Sequence, residues 1–505
     1  MKKSTALVAT LPLLIPVLLY FILHRKPEGL EQHLFRHVAY LASDELRGRL
    51  RTTKGDTLAR EYIQKYLKKS GIAPQSQAFD YLLEIKAKSE FIVITPEADD
   101  TLACDRDYVV KSESGSDSVR TEVVFIGFGI HDPESGYDDF KQIDLTGKIV
   151  LCYLHLPLEM DASVREMVRK TTWRERISLA QACGAKAVIF LAPQNREVKL
   201  TPLHEYGRFS QTSVQYQIPV LQMSNAAIAS IMSRAGVDIT AVEKRLQSSS
   251  QSAAFTLPRT LMNLKVETRY LSKNVYNILA MVRGTDTTRT LVIGAHYDHI
   301  GVQATPGVLD SIMNGADDNA SGVAVLLELA RHYTERPQPP CNLLFAFFGA
   351  EESGLKGSKY FLTHIPQGVN QIKAMINLDM LGRMRDSLVY LDFKKTDGRW
   401  QEIVDGVPHD SLRFSHAKID GRSDATSFAV MDIPSLWIFT GMHEDLHQVS
   451  DEIDKINFRG MQQIMKFTSD IIDIVSRPEI LFYPTGRNKR LNEQNAVSDA
   501  RLNRN

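Results

Sequence analysis

The chain has 505 residues, 43% hydrophobic and 24% charged, an ordinary globular composition long enough for roughly two or three domains with their own cores. Its 60 Lys and Arg balance 60 Asp and Glu, which speaks against a nucleic-acid binder. The four cysteines, Cys104, Cys152, Cys183 and Cys341, show no C-x-x-C spacing, are too few for a disulfide framework, and read as buried free thiols.

In chain order, the first element is "MKKSTALVATLPLLIPVLLYFILHRK", an apolar stretch flanked by Lys2, Lys3, Arg25 and Lys26. It is long enough to reach across a bilayer, although Pro12 and Pro16 interrupt it. No small-residue cleavage site follows. Residues 1–28 therefore read as a signal anchor, with a cleaved signal peptide as the alternative, and the body is expected to be exported, either anchored to a membrane or periplasmic or extracellular. Two amphipathic helices around a polar, Gly-containing loop are expected next, with Leu58, Tyr62, Ile63, Tyr66 and Leu67 at helical spacing and Gly71 as the stop. "FIVITP" reads as a strand.

From 105 to 259 the pattern shifts to short apolar runs such as "TEVVFIGFGI", "GKIVLCYL" and "QIPVLQMS", broken by turns and helical stretches. This predicts one small inserted domain of mixed strands and helices. Its "GFGIHD" lacks the third glycine of a dinucleotide fingerprint, since Asp132 stands there. The segments 29–104 and 260–478 are expected to form the main domain. From Ile278, the apolar strands "TLVIGAHYD", "CNLLFAFFGAEE", "IKAMINLDM" and "SLWIFTG" alternate with helical patterns. One of these patterns places Val323, Leu326, Leu327, Ala330 and Tyr333 on one face. Such alternation predicts an α/β fold, a mostly parallel twisted sheet flanked by helices. Residues 479–505 are polar, lack periodicity and read as a disordered tail.

The chemistry gathers in the last lobe. His296 and Asp298, then Glu351 and Glu352, then Asp379, then His447 and Asp451 each lie at or just beyond the carboxyl end of an apolar run. Asp317 and Asp318 lie in "NGADDNASG", before a helix. In an open α/β sheet that edge is where ligands bind. Five segments bringing at least five carboxylates and two to four histidines would repel and desolvate one another unless divalent cations sat between them. Mixed imidazole and carboxylate ligation suits zinc, and so many carboxylates suit two ions better than one. A single such segment is more often a helix cap, so it is the set of five that carries weight. "HEDLH", His443 to His447, matches the H-E-x-x-H pattern of helical zinc proteases. The apolar run and Gly441 before it read as a strand and turn instead, and no helical periodicity crosses the histidines.

The stretches "HYDHIG", "NGADDNASG", "GAEESGLKGS", "NLDMLGR" and "TGMHEDLHQVSDEIDKIN" together resemble the metal-site motifs of the co-catalytic di-zinc aminopeptidases of the aminopeptidase Y type. "LASDELRGR" resembles that family's N-terminal helix and loop, and 105–259 resembles its inserted protease-associated domain. The resemblance implies two zinc ions, one held by His296 and Asp379, the other by Glu352 and His447, with Asp318 bridging. It implies that Asp298 accepts a hydrogen bond from His296 and that Glu351 is the general base toward a metal-bridging water. It places the last histidine ligand, His447, in a loop, which leaves Glu444 and His443 without catalytic roles. Two positions depart from the family: Leu446 stands where a Tyr often precedes that histidine, and Ala425 stands where S-D-H is common. The implied activity is a zinc metallo-aminopeptidase acting on peptides with a free N-terminus. The alternatives are a glutaminyl-cyclase-like or carboxypeptidase-like enzyme, or a catalytically weak binding protein on the same scaffold.

Overall fold

The computed structural model describes residues 29–482 apart from 133, 135–136, 156–161, 197–198, 203–215, 249–252, 304–309, 395–397, 409–411 and 417–422. The expected anchor at 1–28 and most of the expected tail, from 483 on, lie outside the described residues. Among the described residues no helix is long and apolar enough to cross a membrane. The chain divides into two compact units, one built from Met1–Asp80 and Asn274–Asn505, the other from Tyr81–Lys273. The second unit is wider on both sides than the 105–259 segment. Two strands longer than their apolar runs account for this, since Gln75–Ile94 and Phe255–Val282 each begin in one unit and end in the other. Only the last four residues of the first, "FIVI", belong to the expected "FIVITP" strand. Charged residues alternating along "EIKAKSE" hide the rest, although alternation is itself the strand period.

The first unit opens with helices α1 (Leu30–Leu41) and α2 (Lys54–Lys69). Leu34, Val38 and Leu41, and then Ala59, Ile63 and Leu67, recur one helical turn or two apart, so each helix buries one stripe. Between them Asp44–Arg49 makes a short turn of 3-10 helix in which Arg47 and Gly48 take left-handed backbone. The sheet then assembles from β1 (Phe255–Val282), β2 (Asp286–His296), β3 (Cys341–Phe348), β4 (Gln371–Leu378), β5 (Leu388–Lys394), β6 (Arg413–Ser415) and β7 (Ser435–Phe439). Its order in this unit is β6-β5-β7-β4-β2-β3-β1. The four central strands β3, β2, β4 and β7 are parallel, with Ile293 opposite both Phe345 and Ile376, and Leu378 opposite Ile438. β1 runs antiparallel to β3 and β5 antiparallel to β7, while the edge strand β6 is parallel to β5.

The central strands are buried on both faces, and their side chains alternate between two cores. Leu291, Ile293, Ala295, Phe345, Ile376 and Ile438 face one core, with α1, α2, α3 (Gly322–Thr334) and α7 (Phe458–Val475). Val292, Leu344, Phe348, Met375 and Trp437 face the other, with α4 (Lys356–Thr363) and α6 (Asp424–Val430). α5 (Arg399–Asp405) packs Trp400, Ile403 and Val404 into the first core. Each such Leu, Ile or Phe contributes roughly 1.5–3 kcal/mol by leaving water. Cutting Ile293 back to Ala would cost about 2–5 kcal/mol, because the parallel neighbours on both sides cannot collapse into the gap.

The sequence predicts a one-sided helix for α3. In the structure Ala324, Val325, Glu328 and Leu329 are buried along with the predicted face, so the helix is enclosed nearly all round. Phe482, in the stretch expected to be tail, packs on Trp400. The four thiols are free, as expected, but Cys104 is exposed and Cys183 only half-buried.

The second unit has its own parallel strands, with Val123 opposite Ile149, Val150 opposite Val188 and Ile189 opposite Leu221. Helices Trp173–Ala182 and Asn225–Arg234 cover it, the first held at its start by a reciprocal Thr172–Glu175 cap. Its two apolar clusters, built around residues such as Phe125 and Val150, make it a domain with a core rather than a loop.

Candidate metal centre

The parallel strands deliver the expected side chains to one edge. His296 ends β2, Glu351 and Glu352 follow β3, Asp379 follows β4, and His447 follows β7. Asp318 lies in the turn Ala316–Ser321 that opens α3. His296 Nε2 lies 3.2 Å from Asp318 Oδ1 and 3.3 Å from Asp379 Oδ1. His447 Nε2 lies 3.1 Å from Asp318 Oδ2 and 3.4 Å from Glu352 Oε2. Asp318 thus offers one oxygen to each side.

These donors fit metal ions. His296, Asp318 and Asp379 form one group whose ligand atoms lie within 4.8 Å of one another. Asp379 Oδ1 is buried without a hydrogen-bond partner among the described residues, although His296 stands beside it. Buried carboxylate oxygens are rarely left so, and an ion shared with the imidazole satisfies both. Around Asp318 and Glu352 a second group forms, and it includes a histidine the sequence reading did not single out, His299.

The loops are held by residues that do not touch the donors' inner face. Asp451 accepts the backbone N–H groups of Asp317 and Asp318 at 3.0–3.1 Å. Asn319 ties the turn to the next loop, donating to Leu378 O at 3.0 Å and accepting from Met380 N at 3.2 Å. Asp317 takes the Gly382 N–H, the Ser321 hydroxyl and His443 Nε2, the last at 3.1 Å. Arg49 is buried from the far side and donates to the carbonyls of Tyr297, Leu41, Asn314 and Gly315 at 2.5–3.0 Å. Five donors in a rigid fork let one side chain close several main-chain turns at once.

"HEDLH" is a run of turns after β7, not a helix, and His447 itself has left-handed backbone at φ 56°. His443 points at Asp317 and Glu444 is exposed. The expected hydrogen bond from His296 to the Asp298 carboxylate is not formed. His296 Nδ1 lies 3.1 Å from the Asp298 main-chain carbonyl and 3.9 Å from its carboxylate, which instead accepts the Glu351 N–H at 2.9 Å. Asp298 therefore orients the loop that carries Glu351 with its side chain and the imidazole with its backbone.

Burial sets the electrostatics. It pushes the Glu351 carboxyl well above its ordinary range, with Glu352, Asp424 and Asp379 adding and His296 opposing. Glu352 is also pushed up by burial and by Asp318, but the hydrogen bonds from His299 and His447 win and bring it down to about 2. His447 is raised to about 10 by its hydrogen bonds to Asp318 and Glu352. The paired glutamates are therefore unlike: Glu352 is a fixed anion, and Glu351 is a carboxyl with proton affinity. Asp424, from "SDA", is fully buried nearby and pushed up to about 7 by burial, with Asp379 and Asp298 adding.

Residues 277–472 match Peptidase family M28. A probable leucine aminopeptidase 2 from Aspergillus oryzae is 28% identical over 191 residues, 36% of this chain and 36% of its own, so the chain spans about a third of that relative. Aminopeptidase YwaD from Bacillus subtilis is 25% identical over 396 residues, 75% of this chain and 74% of its own. A solved aminopeptidase from Aneurinibacillus sp. strain AM-1 is similar over 90% of this chain and 96% of its own, at 21% identity and a TM-score of 0.46. The segment that matches Peptidase family M28, 277–472, holds His296, Asp318, Glu351, Glu352, Asp379 and His447.

Proposed function

We propose that the protein is an aminopeptidase that uses two zinc ions to remove N-terminal residues from peptides. The observation that carries this reading is the shared carboxylate of Asp318, 3.2 Å from one histidine and 3.1 Å from another, with a second carboxylate beside each. His296 and Asp379 would hold one ion, Glu352 and His447 the other, and Asp318 both. Zinc, when bound there, supplies a Lewis acid that activates water and takes up charge on the scissile carbonyl oxygen.

The chain supplies the rest. Glu351 stands outside both donor groups, and its raised proton affinity suits it to accept a proton and pass it to the leaving amine. Asp298 fixes the Glu351 main chain at 2.9 Å, and so the direction from which that carboxyl acts. Leu446 is half-buried against the second core and offers no hydroxyl, so oxyanion stabilisation would fall to the zinc ions. Relatives named as aminopeptidases support the exopeptidase reading. Segment 1–28 read as a signal anchor and 105–259 read as a protease-associated domain support an activity outside the cytoplasm.

The test is a pair of variants on unblocked and N-blocked aminoacyl substrates, with zinc measured by mass spectrometry. E351Q should keep its zinc and lose about 10²–10⁴-fold in turnover, because a base is removed and no ligand is. E352Q should lose zinc. Hydrolysis of blocked substrates as fast as free ones, or equal zinc loss in both variants, would refute the reading.

A further inference from the structure

His299 lies three residues past His296, and nothing in the five-ligand set assigns it a task. It is fully buried. Its Nδ1 stands 2.8 Å from Glu352 Oε1 and 3.8 Å from Asp318 Oδ2. These distances decide between two roles. Four tetrahedral ligands at about 2.0–2.2 Å from one zinc stand about 3.3–3.6 Å apart. The pairs made by His296 and His447 with their carboxylates, at 3.1–3.4 Å, are close to that spacing. The His299–Glu352 pair is shorter and has the length of a charge-assisted hydrogen bond, while its distance to Asp318 is too long for one.

The protons agree. An ionised carboxylate only accepts, so the hydrogen must sit on Nδ1. Nε2 is then a bare nitrogen, buried and without a hydrogen-bond partner among the described residues. Were Nδ1 to ligate an ion instead, Nε2 would carry a buried hydrogen with no acceptor, against the habit of metal-bound histidines. The ring has little room to turn. Gly315, at φ +57°, packs against it so closely that an added Cβ would lie 2.6 Å from its Cδ2 and 2.1 Å from the Asp318 carbonyl oxygen. The His299 backbone N–H is tied to the Arg49 carbonyl at 3.4 Å.

We propose that His299 is a positioning residue of the second metal site: its Nδ1–H holds Oε1 of Glu352, so that Oε2 alone faces His447 and the ion. Glu352 is a long, flexible side chain, and without this bond either oxygen, or both, could turn to the metal. His299 thereby selects the single-oxygen arrangement and sharpens the affinity of that site over the other. This rests on the two-zinc reading above.

The experiment is a zinc titration of the full chain, stripped by a chelator and shown folded by circular dichroism, against a competing chromophoric chelator. Wild type should yield two dissociation constants. In H299A the constant of the second site should weaken about 10–100-fold while the first holds within about threefold. H299N, whose amide nitrogen stands near the Nδ1 position, should recover most of the loss, and its cobalt-loaded visible spectrum should match that of wild type because no ligand has gone. H299Q, which carries its amide beyond that position, replaces H299A if the latter does not fold. An unchanged second constant in folded H299A or H299Q overturns the proposal. So does a loss that H299N fails to restore with altered cobalt bands, which would make His299 a ligand. A wild type that binds one ion sinks the two-zinc reading and this inference together; a wild type that binds two, with H299A unaffected, sinks this inference alone.

Discussion

Helix α3 starts beside one buried cluster of charges and carries another. Glu328, in its middle, is fully buried, yet each of its oxygens is served. Oε1 accepts from the Tyr66 hydroxyl and lies 3.0 Å from His37 Nε2, while Oε2 takes two bonds from Arg331 at 2.9 and 3.1 Å and lies 3.3 Å from His33. At the start of the helix the balance is reversed. Asp379 Oδ1 and Asp298 Oδ2 have no hydrogen-bond partner among the described residues, and Asp318, Glu352 and Asp424 crowd the same region. Both clusters are centred on buried carboxylates, so burial alone does not mark function. What differs is whether the chain neutralises its own carboxylates. Around Glu328 it does, and the cluster ties α1, α2 and α3 together. At the sheet edge the carboxylates exceed their donors, which is the condition under which cations bind.

The comparison can be broken by removing metal. Chelation should abolish turnover and destabilise the protein by about 4 kcal/mol for each ion lost, relative to zinc at a thousand times that site's dissociation constant. A thermal midpoint that ignores the chelator would show that the sheet-edge cluster, too, is self-sufficient. E328Q should cost about 3–5 kcal/mol, because it strips charge from one partner of a buried set and leaves the others facing a neutral amide. That loss should be the same with and without zinc. It should also depend on pH in a fixed direction. Although burial alone would raise Glu328, the hydrogen bonds from His37 and Tyr66 hold it down to about 2, below the ordinary 4.5. Its contribution is therefore complete above about pH 4.5 and fades as the pH falls through about 2. The gap between wild type and E328Q in urea midpoints should narrow over that interval, and a gap that widens would contradict the assignment. H443A should be milder, about 1–3 kcal/mol in stability, since it frees one oxygen of Asp317 and no donor of the centre. Its loss of turnover should be well below that of H447A. E444Q should change turnover less than twofold, and a fall comparable to that of E351Q with metal retained would restore the helical H-E-x-x-H mechanism.

The strand ends and the acids just past them were legible because both follow local rules. A buried parallel strand is a continuous apolar run, and a polar residue at its carboxyl end marks the edge where loops gather. The helices α1, α2 and α7 were legible for the same reason. What stayed hidden is held by contacts distant in sequence. Arg49 lay in a stretch readable only as a polar loop, and its partners at 297, 314 and 315 leave no periodic trace near it. His299 stood in view within "HYDHIG", but only the 2.8 Å approach of Glu352 gives it a task. The family resemblance implies a side-chain bond from Asp298 to His296, which the Asp298 main-chain carbonyl pre-empts. The enclosure of α3 was missed because three helices cover it, and periodicity reports only the sheet-facing stripe.

Arg49 closes the turns around Asp318 from one end of the chain, and Asp451 accepts the Asp317 and Asp318 N–H groups from the other. Asp318 is thus fastened by groups 269 positions before it and 133 after it. A nascent chain shorter than 451 residues lacks the second fastener. A ribosome-bound fragment ending before Asp451 carries His296, Asp318, Glu351, Glu352, Asp379 and even His447, yet the turn that presents Asp318 lacks one of its two fasteners. Order at that turn is thereby deferred until the chain has grown past residue 451, a timing set by where the fasteners fall along the sequence.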